Sequence, residues 1–73
     1  MMQPIAKPPR LATHEYVYAY GYKSQDACTL AIWDAVSNGE VSAGEKPREA
    51  AYTTAQGARR WAIVLTASAA ALA

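Results

Sequence analysis

The chain has almost none of the groups from which reactive centres are built. Cys28 is the only cysteine and His14 the only histidine among 73 residues, so an intrachain disulfide is impossible and a Cys/His zinc site cannot form within one chain. No glycine-rich phosphate loop and no nucleophile elbow occurs. Asp26 and Asp34 stand apart on one predicted helix, in surroundings that suggest no paired acid and base. The net charge is only +1, without the clustered basic surface that binding to a nucleic acid backbone demands. Long apolar runs are also missing. The last stretch, Trp61 to Ala73, has thirteen residues, against the roughly 20 that a spanning helix needs, and it reads as a core strand with an alanine-rich tail. Residues 1–12 are broken by Pro4, Pro8 and Pro9 and lack the secretory pattern. A cytoplasmic protein with a reduced Cys28 is therefore expected. Neither a monomeric enzyme nor a cofactor is expected, and a site shared across an oligomer interface is the one catalytic route left open.

So short a chain forms one domain, and a domain of this size buries only about 60 percent of the surface its unfolded chain exposes. With disulfides and metal excluded, oligomerisation or docking onto a larger partner is the remaining supplement.

What the sequence does have is tyrosine. Tyr16, Tyr18, Tyr20 and Tyr22 alternate with Val17, Ala19 and Gly21, and in a regular strand such alternation places the four tyrosines on one face and the small residues on the other. Small residues permit close approach of a helix, so the expectation is an aromatic ladder on the uncovered side of a sheet. Tyrosine is favoured in strands and also enriched at interfaces. A partly buried strand is the simpler alternative.

Around that strand, placed at residues 14–22, the remaining elements fall into place. Residues 1–12 read as a flexible, proline-containing arm, because proline removes backbone donors and fixes φ. Ser24 is a helix N-cap with Asp26 in the first turn, and Asn38-Gly39 is a stop after about Ser37. On the wheel, Cys28, Ala31, Ile32 and Ala35 share a stripe flanked by Ala27 and Val36, while Leu30 and Trp33 fall elsewhere. Residues 40–48 are polar, with room for one short edge strand near Val41. Ala50 to Thr54 and Arg59 to Thr66 form a hairpin through Gly57. A two-residue loop sets Tyr52 opposite Trp61, and a three-residue loop sets it opposite Arg60. In the last strand, Trp61, Ile63 and Leu65 form the bulkier face.

These elements predict an α+β two-layer sandwich, an antiparallel sheet of three or four strands in β-α-β-β or β-α-β-β-β order with one helix on one face. The domain spans 13–67, followed by an alanine-rich tail at 68–73.

Among the reactive residues, Cys28 lies on the small-residue stripe and reads as a buried, inert thiol. His14, at a strand start, reads as a surface residue. Trp33 in so small a domain is more often core; if exposed, it is the natural anchor of an interface. Arg59 and Arg60 point to opposite faces, so at most one joins the tyrosines.

The expected function is that of a non-enzymatic protein-binding module, with Tyr16, Tyr18, Tyr20, Tyr22, Trp33 and Arg60 as contacts. In type, a tiny aromatic-rich chain without a catalytic set is similar to phage and mobile-element accessory proteins that inhibit a host complex by binding it. Self-association, as in a homodimer, is the other form of this reading. Two alternatives come from other classes: a single-stranded nucleic acid binder stacking bases on the ladder with Lys23, Arg59 and Arg60, and a small-molecule binder with an aromatic pocket between protomers.

Overall fold

A computed structural model describes residues 5–67 of the chain. Its elements are β1 (Ile5–Lys7), β2 (Glu15–Tyr22), α1 (Gln25–Ser37), a 3-10 turn at Ala43–Glu45, β3 (Arg48–Thr54) and β4 (Arg59–Thr66). The strands form one antiparallel sheet in the order β1-β3-β4-β2, and α1 lies against one face of it, chiefly over β3 and β4. The α+β class is as expected; the source of the fourth strand is not. No strand forms near Val41, because Ser42 and Glu45 close a reciprocal capping box that winds the chain into the 3-10 turn. The fourth strand comes instead from the proline-containing arm, where Ile5–Lys7 pairs with β3 at the sheet edge. The edge is the place a proline-flanked strand can occupy. The alanine-rich tail at 68–73 lies outside the described residues.

The helix is held at both ends by the residues that mark it in the sequence. Ser24 Oγ accepts from the Ala27 N–H at 3.1 Å, and Gly39 takes φ +76° just beyond the Asn38 C-cap. Cys28, Ile32 and Ala35 are buried. With Val41, Ile63 and Leu65 they make the core, bordered by Ala19, Tyr22, Ala31 and Trp61. Each fully buried Ile or Leu stabilises the fold by about 1.5–3 kcal/mol relative to exposure.

The hairpin takes the longer of the two expected loops. Tyr52 pairs with Arg60 and Thr53 with Arg59, the Thr54 N–H donates to the Ala58 carbonyl at 2.8 Å, and Gly57 supplies φ +83°. Thr54, fully buried, accepts the Ala58 N–H on its hydroxyl.

The expected open face is not open. Ala62 and Val64, on the face away from the helix, are both 0 % exposed, and Ala50, Tyr52 and Thr54 beside them are buried. Tyr20 and Tyr52 meet edge to face on this side, and the arm passes beside Tyr52 and Arg48. Since β1 and β2 occupy opposite edges, residues 8–14 must carry the chain across the sheet. Arg48, which pairs with Val64 and so shares its face, donates from Nη2 to the Arg10 carbonyl at 2.8 Å. The same guanidinium grips Glu15 through Nε–Oε2 and Nη2–Oε1, each 2.8 Å. Pro9 is buried along this path.

Candidate functional site

The six residues expected as contacts lie on three surfaces. Eight residues of β2 face six of β4, because the pairing slips between Val17 and Ala19 and again between Tyr20 and Tyr22. Each slip is a β-bulge, which leaves one residue without a partner and reverses which face the next residues occupy. Tyr16, Ala19 and Tyr22 pair with Leu65, Ile63 and Trp61 on the helix side, while Val17 and Tyr20 pair with Val64 and Ala62 on the other. Gly21, the extra residue of the second bulge, has φ +101°, a conformation that glycine adopts without steric penalty. The uncovered tyrosine ladder is therefore absent. An edge strand so rich in tyrosine would be a template for pairing with other chains, and bulges are a known means of blunting such an edge.

On the helix side, Tyr18 and Tyr22 line an open groove of about 480 Å³ between β2 and α1, with Ala19, Ala31, Asp34, Ala35, Glu40 and Ile63. Tyr16 donates its hydroxyl to Glu45 Oε2 at 3.1 Å, which pushes its pKa up. Tyr22 is pushed up by burial first, then by the nearby Cys28 and Tyr18. On the opposite face, Tyr20 meets Tyr52 edge to face, and Arg60 lies opposite Tyr52. Burial raises the Tyr52 pKa, and a backbone hydrogen bond from Gly21 draws it partly back. Arg60 Nη1 donates to the Arg59 carbonyl at 2.8 Å, and the Arg59 guanidinium sits 5.6 Å from the Trp61 ring centroid. Arg60 is thus near one tyrosine of the strand, Tyr20, and apart from the other three.

The third surface is the outer side of α1. Trp33 is 66 % exposed and Leu30 63 %, so Trp33 is surface, and the core expectation fails for a simple reason. The helix buries only its narrow stripe of Cys28, Ile32 and Ala35, and Leu30 and Trp33 fall on the side turned from the sheet. Leu30, Trp33 and Val36 recur at steps of three, which stacks them as a row on a helix. Leu30 and Trp33 bound a hollow with Asp26 and Thr29. Trp33 and Val36 continue into an open groove of about 510 Å³ with Ile32, Ser37, Ala43, Pro47 and Glu49. Val36, Ala43 and Pro47 were not expected in a site; the step-of-three row was the signal for Val36, and the fold alone brings Ala43 and Pro47 beside it.

No reactive centre forms among these side chains. Cys28 is buried and its pKa is pushed up to about 11, first by burial and then by Glu49, so it is a neutral thiol near pH 7. His14 sits at φ +72° before β2, its carbonyl accepting from the Ala67 N–H at 2.7 Å. Among the described residues no three His, Cys, Asp or Glu side chains gather as a metal site, and no helix is long and apolar enough to cross a membrane. Comparison with protein-family models, curated proteins and solved structures returns no match for this chain.

Proposed function

We propose that this chain is a non-enzymatic protein-binding module that engages its partner through the outer face of α1, with Trp33 and Leu30 as anchors. The observation that carries this reading is the exposure of two large apolar side chains, side by side on one helix, in a domain with few large core residues. Tryptophan is the residue type that most often dominates binding energy at interfaces, and Val36, Ala43 and Pro47 extend the apolar area around it. A small inhibitor of a larger complex, of the phage or mobile-element kind, is one form of this function and rests on size and surface alone.

Support for base stacking is weaker, because Tyr20 and Tyr52 contact each other edge to face and Tyr52 is 5 % exposed, which leaves little ring surface for a base. A small-molecule site would occupy the groove beside Tyr18 and Tyr22.

The test is affinity capture with the tagged chain beside its Trp33→Ala and Leu30→Ala variants. Both variants should keep the circular dichroism spectrum and thermal melt of the parent and lose the captured partner. Recovery of the same partner by folded variants would remove the helix face as the contact surface.

A further inference from the structure

If α1 is the protein-binding face, the charge of its partner can be read from how this chain distributes its own. The net +1 is the sum of two unlike parts. From Ser24 to Glu45 there are four acids, Asp26, Asp34, Glu40 and Glu45, and no lysine or arginine. The rest of the chain holds all seven basic residues and the two other acids, Glu15 and Glu49, so the parts carry −4 and +5. Lys23 and Lys46 stand just outside the acidic run.

That run is the helix and the turn beyond it, and its acids flank the apolar row. Asp26 lies beside Leu30 and Trp33, and Asp34 and Glu40 lie along the other flank of α1; Glu49 of β3, from outside the run, joins them in the groove with Trp33, Val36 and Pro47. Stability of the fold accounts for two of them, since Asp26 stands in the first turn of α1, where a negative charge meets the helix dipole favourably, and Glu49 Oε1 accepts from Gln25 Nε2 at 3.4 Å, but not for Asp34 and Glu40. Arg48 with Glu15 is the only salt bridge among the described residues, and the carboxylates of Asp26, Asp34 and Glu40 make no hydrogen bond among them. Asp34 stands in the last turn of α1, which has no basic residue. A negative charge there opposes the helix dipole. Glu45 differs, since Ser42 and Tyr16 both bond its carboxylate.

An apolar ridge between carboxylates that have no cationic partner among the described residues repels a second copy of itself. A two-fold dimer through α1 would set −4 against −4 within about 10 Å, the range over which charges at moderate salt still interact. Phosphate backbones and anionic lipid surfaces are disfavoured for the same reason. We infer that the Leu30–Trp33–Val36 ridge receives a cationic amphipathic segment of a protein partner, whose apolar side chains cover Trp33 and enter the groove at Val36 and Pro47 while its lysines or arginines meet Asp26, Asp34, Glu40 and Glu49. The acids set selectivity and association rate, and the ridge sets residence time.

The experiment titrates the full chain with a synthetic amphipathic peptide of leucine and lysine and with its leucine and glutamate counterpart. Binding is read by calorimetry and, in a Trp61→Phe background, by Trp33 fluorescence. The lysine peptide should bind at least about tenfold more tightly than the glutamate peptide, shift Trp33 emission to the blue and weaken as salt rises. The triple variant Asp26→Asn, Asp34→Asn, Glu40→Gln should lose about tenfold for the lysine peptide, and Trp33→Ala should abolish its binding. Equal affinity for the two peptides, or lysine-peptide binding that survives Trp33→Ala, would overturn the inference, as would a dimer in sedimentation that disappears with Trp33→Ala. Native partner capture separates the charge claim from the helix-face reading on which it rests. If the triple variant captures as well as the parent while Trp33→Ala does not, the charge inference falls and the helix-face reading stands. If Trp33→Ala captures normally, the helix-face reading itself falls.

Discussion

Tyr20 and Tyr52 meet edge to face on the side of the sheet turned from the helix, ring centroids 6.1 Å apart and planes at 78°. Tyr22, two residues further along the same strand, stands on the helix side opposite Trp61. Gly21 is what separates them. As the extra residue of a bulge it re-aims the chain between the two tyrosines.

Replacing Gly21 by alanine should therefore destabilise the protein although the position is exposed. The backbone there has φ +101°, and forcing an L-residue into left-handed space costs roughly 1–2 kcal/mol. Urea unfolding followed by fluorescence should show a lower midpoint with an unchanged slope. A midpoint equal to that of the parent would mean that the bulge does not depend on glycine.

Much of the fold was legible because local signals agreed with it. Ser24 and Gly39 bound the helix where capping chemistry puts them, and Arg59–Thr66 is the strand its apolar run predicts. The tyrosine face was not legible. Period-two reasoning assumes that every residue advances the pleat by one, and a bulge inserts a residue without a partner; the side chains of Tyr16 to Tyr22 carry no mark of where the pairing slips, apart from the permissive Gly21. The crossing of the arm was not legible because it depends on Arg48, far along the chain, which ties Arg10 and Glu15 together. Trp33 was legible in angle and misjudged in burial: the wheel set it off the stripe, and the frequency of buried tryptophan argued the other way.

Trp33→Ala and Ile63→Ala remove large apolar side chains from opposite environments and should diverge. Trp33 is 66 % exposed, and its loss should change unfolding free energy by less than about 1 kcal/mol. Ile63 is 1 % exposed in the core, where truncation costs about 2–5 kcal/mol. A small domain has little more than that in reserve, so Ile63→Ala should be partly or wholly unfolded at 25 °C by circular dichroism. Comparable losses in the two variants would place Trp33 in the core.

Cys28 should be silent toward thiol reagents until the protein opens. Its side chain is fully buried, and burial, followed by Glu49, lifts its pKa from 9.0 to about 11. Labelling at neutral pH should follow the global unfolding curve in urea, with no reaction at zero denaturant on the timescale that modifies a free thiol. A raised folded-state pKa for an acid means that the neutral form is favoured in the native protein. The associated stability is complete below pH 9 and is lost as pH rises through about 11. Rapid labelling in native buffer would show that the helix detaches without global unfolding.

Glu15 should make the crossing of the arm acid-sensitive. Two hydrogen bonds from Arg48, followed by one from the Ala12 N–H, lower its pKa from 4.5 to about 2. A depressed folded-state pKa means that the native state favours the carboxylate. The contribution is fully present above pH 4.5 and is lost as pH falls through about 2. Glu15→Gln removes the titrating group, so its urea midpoint should lie below the parent's at pH 7 and converge on it as pH falls through that window. Arg48→Met should give the same convergence, because it deprives Glu15 of its principal partner, and should also free the Arg10 carbonyl. The crossing would then loosen beside Arg48 and its register partner Val64, and amide exchange at Val64 should rise more in Arg48→Met than in Glu15→Gln. A gap between parent and Glu15→Gln that stays constant from pH 7 to pH 2 would show that the pair acts through packing and carries no net charge linkage.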